Sequence, residues 1–235
     1  MTQAPGARSA AVFPHPPDGF PLALAAPGWQ GAAMASDFWN ERYAASEGYL
    51  FGTEPAAFLA AQAAHLPPGS EVLCVADGEG RNSVWLAARG HRVTAFDAAA
   101  AGVERARALA AERGAEVAHE VATIEGWDWT RPFDAVVAIF IQFLDPAARE
   151  AAFVRLGGAV RPGGLLLLHG YAPRQVGYGT GGPPAAENMY TEELLAAAFA
   201  GWEILRLADY DAEIHEGRGH SGRSALVDLV ARKPG

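Results

Sequence analysis

The sequence predicts an α/β protein whose doubly wound, mostly parallel sheet ends in an antiparallel hairpin. Three observations carry this reading. Short apolar strands alternate with helix-period segments between about residues 71 and 169, the pattern of a parallel sheet with helical crossovers. A glycine turn, Asp77-Gly78-Glu79-Gly80, joins the first strand to its helix. Two β-rich stretches, 202–214 and 224–231, close the chain around the link 215–222, which holds two histidines and three glycines and suits a hairpin.

Taken in order, residues 1–35 are rich in Ala, Pro and Gly and lack any helical or strand period, so they read as a disordered leader before a domain spanning 36–235. Met34 directly precedes the first patterned stretch and is a candidate natural start; an intact mass that includes residue 1 would rule that out. Asp37-Phe-Trp-Asn-Glu-Arg-Tyr43 reads as a short helix capped by Ser36. A loop carrying Tyr49, Phe51 and Gly52 follows, then a helix over 54–65 that ends at Pro67-Pro68-Gly69. The aromatic cluster Trp39, Tyr43, Tyr49 and Phe51 is either a clasp on the sheet or a lid that excludes water from chemistry.

Residues 72–76 form a buried strand, because a parallel sheet is covered on both faces. Cys74 within it reads as a small buried hydrophobe rather than a nucleophile. Gly78 and Gly80 supply positive φ and let a ligand approach bare backbone, and the helix that starts near Arg81 presents open N–H groups. A second strand, 91–96, ends at Asp97, placed to accept from ribose hydroxyls. Asp97 stands 17 residues beyond Gly80, close to the spacing of a nucleotide-binding βαβ unit. A helix over 100–113, a strand over 116–121 and a loop holding Thr123, Ile124, Trp127 and Trp129 come next, with the two tryptophans packing over the sheet edge. The fourth strand spans 133–140, Pro146 opens a helix to about residue 160, Arg161-Pro-Gly-Gly164 turns, and 165–169 is the fifth strand. A helix over 191–200 precedes the hairpin.

A net charge of −9 in 235 residues argues against a nucleic-acid face, which needs a basic stripe. One cysteine allows no internal disulfide, consistent with the reducing cytoplasm. No apolar run reaches the length of a membrane span. The expected partner is a small molecule; oligomeric state is left open.

Two enzyme classes use a glycine turn of this kind. A nicotinamide-dependent oxidoreductase wants Gly-x-Gly-x-x-Gly/Ala, and here the third position is Ser83. Asp77 before the glycines, Arg-Pro-Gly-Gly before the fifth strand and the closing hairpin instead resemble class I S-adenosylmethionine (SAM)-dependent methyltransferases. That resemblance implies a seven-stranded sheet. A non-catalytic SAM-binding module is the remaining alternative. Phe38-Trp-Asn-Glu-Arg-Tyr43, Tyr49-x-Phe-Gly-x-Glu-Pro55, Gly78-Glu-Gly-Arg-Asn82, Thr180-Gly-Gly-Pro183 and His215-Glu-Gly-Arg218 together resemble a bacterial subgroup related to tellurite-resistance and thiopurine-type methyltransferases, over roughly 36–233.

The resemblance implies that Asp77, Gly78 and Gly80 line the methionine part of SAM, that Asp97 holds the ribose diol and that Ala98 lies beside the adenine. Trp39, Tyr49, Gly52 and Asn82 join this cofactor set. Thr123 stands where an Asp usually meets the adenine amino group, so the Ile124 N–H is the substitute contact. Ile139 and Phe140 pack under the sulfonium. The substrate wall draws on Gln142, Tyr171, Gln175, Tyr178 and Thr180, with Arg174 as a further candidate and Arg218 and His220 at the cleft mouth. The glycine-rich loop 177–182 reads as a closure over substrate. His169 is either a core histidine or faces the cleft. No metal site is expected: the histidines of the hairpin link read as solvated. A soft acceptor such as a thiol, selenium or tellurium species needs no strong base, and none is evident, whereas a hydroxyl acceptor calls for one.

Overall fold

The computed structural model describes residues 32–235, with side chains from Ser36 onward. Seven strands form one sheet in the order β3-β2-β1-β4-β5-β7-β6. They are β1 (Glu71–Val75), β2 (Arg92–Asp97), β3 (Val117–Val121), β4 (Phe133–Ile139), β5 (Val160–Tyr171), β6 (Glu203–Glu216) and β7 (His220–Arg232). β1 to β5 pair in parallel, and β7 runs antiparallel between β5 and β6. This is the class I methyltransferase arrangement that the sequence implied.

Among the described residues six α-helices accompany the sheet: α1 (Ala32–Ala45), α2 (Ala57–Gln62), α3 (Arg81–Ala87), α4 (Ala100–Arg113), α5 (Pro146–Ala159) and α6 (Glu192–Ala198). One apolar layer joins Phe58 and Leu59 of α2 and Leu86 of α3 to Val72, Cys74, Val137 and Leu167. Phe153 and Leu156 of α5, with Leu195 of α6, pack on the other face against Leu73, Val136 and Leu166. Helices therefore cover both faces, which is why the central strands β1 and β4 are buried almost throughout, while β3 at the parallel edge carries His119 and Glu120 and stays largely exposed. Cys74 is 1% exposed, a core residue as expected. Trp127 stacks on Phe96 with centroids 4.5 Å apart.

The strand order reverses between β1 and β4. At that point two neighbouring connections leave in opposite directions and open a crevice beyond the carboxyl ends of the strands. The Asp77–Gly80 turn sits at its lip.

The structure corrects three expectations. α1 begins at Ala32, in a run of good helix formers, so Ser36 lies inside the helix and its hydroxyl donates to the Ala98 carbonyl at 3.0 Å instead of capping. The rest of the expected leader, 1–31, lies outside the described residues. Arg161–Gly164 is absorbed into β5 as a register irregularity: Gly163 donates to the Lys233 carbonyl and Lys233 to that of Gly164. The hairpin link shrinks to Gly217-Arg218-Gly219 between the paired residues Glu216 and His220, because strand pairing continues past the polar residues that looked like loop. Helix starts elsewhere follow local chemistry: Asp145 accepts from the Ala148 N–H at 2.9 Å with Pro146 at the first helical position.

Candidate active site

The glycine turn is shaped by two left-handed residues, Gly78 at φ 60° and Gly80 at φ 87°, with Gly80 immediately preceding α3. Its partner is the carboxylate at the end of β2. Asp97 accepts from the Gly78 N–H at 2.9 Å through one oxygen and from the Ala99 N–H at 2.8 Å through the other. Burial raises the Asp97 pKa, and those two N–H groups pull it back. Asp97 thus knits β2 to the turn. Asp97→Ala is expected to leave both amides without a partner and lower stability by about 1–3 kcal/mol; a denaturation midpoint equal to the parent would contradict this.

Asp77 presents a different situation. Its Oδ2 is buried and has no hydrogen-bond partner among the described residues. Burial, with Asp97 adding to it against the pull of Ser83, lifts the Asp77 pKa to about 7. A buried carboxylate oxygen without a donor is costly once ionised, so this atom is ready for a cation or N–H donor from a ligand. The other acid of the turn, Glu79, is tied to the residues beyond α1 and to α4. It accepts from the Leu50 N–H at 2.7 Å and pairs with Arg105 at 3.0 Å.

An aromatic strap crosses the mouth. Trp39 stacks on Tyr43 (5.5 Å), Phe51 lies 6.0 Å from Trp39, and His220 lies 4.5 Å from Phe51. His220 in turn stacks on Phe140 at 4.2 Å. The strap is tied from both sides: Glu79 holds residues 50 and 51, Arg81 pairs with Glu216 at 2.7 Å, and Arg218 donates to the Glu47 carbonyl at 2.6 Å. Tyr43 reaches furthest in: a Cβ on Gly78 would come 2.7 Å from its hydroxyl. Burial, then the nearby Asp97, Glu79 and Asp77, push the Tyr43 pKa well up, so this hydroxyl stays protonated as a potential donor over the turn. Tyr43 and Phe51 were visible only as members of an aromatic cluster; their position against Gly78 and His220 depends on how α1 and the strap dock.

The remaining sequence-predicted residues divide. Ile139 ends β4 at the crevice and Phe140 follows it, at φ 57° with its N–H donating to the His169 carbonyl at 2.8 Å. Ala98 follows Asp97 directly. Thr123 accepts from the Gly126 N–H at 3.0 Å, and Ile124 is buried next to it. Tyr171 and His220 share a 2.5 Å hydrogen bond. Burial, and after it Arg81, hold the His220 imidazole neutral by lowering its pKa well below the usual value.

Others are occupied structurally. Asn82 accepts from the Ala56 N–H at 2.9 Å, and Tyr49 packs on Val84 and Leu109, with its hydroxyl donating to the Arg105 carbonyl. Gly52 faces the Gly217 backbone. Gln142 clamps the Tyr171 backbone, donating to its carbonyl at 2.7 Å and accepting from its N–H at 2.6 Å. Gln175 accepts from the Ala225 N–H and donates to Thr180, which in turn donates to the Arg223 carbonyl. Tyr178 donates to Asp211 at 2.6 Å, and Arg174 pairs with Asp209 and Asp211. The loop expected to close on substrate is therefore tied to β7, and Gln142 and Gln175 spend their amides on backbone.

The glycine turn at the switch point, partnered by a carboxylate one strand over, together with this sheet order, defines a class I methyltransferase fold. Residues 72–164 match the family model of a methyltransferase domain. A ubiquinone biosynthesis O-methyltransferase from Methylocella silvestris is 39% identical over 101 residues, covering 42% of this chain. The chain spans 39% of the length of that curated relative.

Among solved structures, a protein that converts a disulfide bond into a thioacetal group during echinomycin biosynthesis superposes with a TM-score of 0.68 at 20% identity, over 85% of this chain and 92% of that one. TehB from Haemophilus influenzae gives 0.62 at 18% identity, over 84% and 66%. The magnesium protoporphyrin IX methyltransferase ChlM from Synechocystis with bound S-adenosylhomocysteine (SAH) gives 0.63 at 16% identity, over 86% and 98%.

Proposed function

We propose that this chain is a SAM-dependent methyltransferase acting on a small molecule. The observation that carries the reading is the buried, unpartnered Asp77 Oδ2 beside a bare glycine turn, with Asp97 on the adjoining strand. These residues fit the cofactor. Asp77 would meet its ammonium group, Asp97 its ribose diol, and Ala98 with the Ile124 backbone its adenine. SAM supplies a methyl group on a cationic sulfur. The chain itself orients the reactants and keeps water out, work that the partly buried strap of Trp39, Tyr43, Phe51 and His220 is placed to do.

The acidic surplus of −9 supports a small acceptor over nucleic acid, and no helix of the described residues is long and apolar enough to cross a membrane. Five motifs shared in order with the tellurite- and thiopurine-type subgroup support a soft acceptor, a thiol or a selenium or tellurium species. A hydroxyl acceptor is the second reading. It is favoured by one observation, the buried pairing of His169 with Asp228 at 2.7 Å, because such an acceptor needs a positioned base.

SAH is expected to raise the melting temperature, and NADH to leave it unchanged. The reverse pattern would transfer the protein to the nicotinamide oxidoreductases. Tight SAH binding with no methylated product from labelled SAM and a panel of small thiols and phenols would make it a binding module instead.

A further inference from the structure

We infer that His169 is the base of this site and that the acceptor it serves carries an ionisable hydroxyl on a flat ring. The inference rests on the methyl-transfer reading, takes its hydroxyl form in place of the soft-acceptor form, and goes beyond it by naming the proton acceptor and the acceptor class. His169 pairs in register with Ile139, the last residue of β4, so its imidazole lies at the carboxyl end of the sheet. Its Nδ1 is 2.7 Å from Asp228 Oδ1. An ionised carboxylate has no proton to give, so Nδ1 carries the hydrogen, and in the neutral imidazole the lone pair is on Nε2. Nε2 has no hydrogen-bond partner among the described residues.

The ionised state of Asp228 is secured from β6. Arg206 donates to its other oxygen at 2.7 Å and the Tyr210 hydroxyl approaches at 3.2 Å. Burial opposes ionisation of Asp228, yet the His169 and Arg206 hydrogen bonds outweigh it and hold the carboxyl below its usual range. The pairing follows the register, since His169 and Asp228 face each other across β5 and β7.

Charged and titratable neighbours are accounted for on each side. β7 brings Asp228 and His220, and β6 brings Arg206 and Tyr210. From α2 and the end of β4 come only Phe58, stacked on the imidazole at 4.8 Å, and Phe140, edge-on at 4.9 Å. Those rings, with His220 stacked on Phe140 at 4.2 Å, make the surroundings of the imidazole aromatic, which favours a flat ring as acceptor. The step balances. The acceptor O–H gives its proton to His169 Nε2, the oxygen forms the new bond to the methyl carbon, and the carbon–sulfur bond breaks with its electron pair going to sulfur.

4-Nitrophenol, which absorbs differently once ionised, tests this without turnover. Bound to the SAH-loaded protein, it is expected to ionise at least about one pH unit below the free probe, a tenfold shift in its ionisation equilibrium. His169→Gln is expected to abolish that displacement and Asp228→Asn to reduce it, both with SAH affinity unchanged. With labelled SAM, His169→Gln should lower transfer to 4-nitrophenol at least 100-fold at neutral pH, with recovery as pH rises. Transfer to thiophenol, which ionises without help, should fall less than about threefold.

Failure of the probe to bind, an unshifted titration in the parent, or equal losses on both acceptors would each overturn the inference while leaving methyl transfer in place. Failure of SAH to bind would overturn the underlying reading itself.

Discussion

Replacing Gly80 with alanine is expected to lower the stability of the fold by about 2–4 kcal/mol, from strain and overpacking together. The residue sits at φ 87°, and an added Cβ would lie 2.6 Å from the Ala106 Cβ and 2.8 Å from its Cα. The obstacle is α4 backbone, which cannot rotate away as a side chain can. Gly90 supplies the control: its φ is 86°, but nothing lies within 4 Å of a Cβ there. Gly90→Ala therefore isolates the conformational part, about 1 kcal/mol. Denaturant titration of the two variants separates the contributions, and equal losses would mean that α3 and α4 are not packed as closely as described.

Asp77→Asn is expected to act in opposite directions on the free and the liganded protein. Its folded pKa of about 7 lies above the ordinary value of 3.8. The stability tied to this group is therefore fully present below about pH 4 and is lost as pH rises through 7. At pH 8 the native chain carries a buried charge with one bare oxygen, whose cost is about 4 kcal/mol, and the neutral amide removes it. The free variant should thus melt higher than the parent at pH 8, with the gap closing near pH 4. SAM binding should weaken by about 2–5 kcal/mol, because the cofactor's ammonium loses its counter-charge. Melting curves at the two pH values and calorimetric titration with SAM check both halves; a variant that binds SAM as tightly as the parent would detach Asp77 from the cofactor.

The difference between these two residues shows what kind of information each level holds. The turn Asp77–Gly80, the apolar strand before it and Asp97 one strand over were all legible, because backbone demands for positive φ and buried parallel strands leave local marks in sequence. The polar residues of the far wall misled for the same reason. Gln142 and Gln175 look like substrate contacts in a string of letters, but their amides are used up by the Tyr171 and Ala225 backbone, partners 29 and 50 positions away. Nothing local announces a hydrogen bond of that range.

His169 is the converse case: read as core or cleft with no way to choose, it gains chemical meaning only from Asp228, 59 residues on. By itself, then, the sequence determined the fold class, the parallel first half of the sheet and the glycine turn after its first strand, since periodicity, glycine conformation and strand burial are short-range properties. The tertiary structure alone decided that Tyr43 lies over Gly78, that Asp77 keeps a bare buried oxygen, and that β7, inserted between β5 and β6, brings a carboxylate to His169. Those are outcomes of register and docking between distant segments, which no single segment encodes.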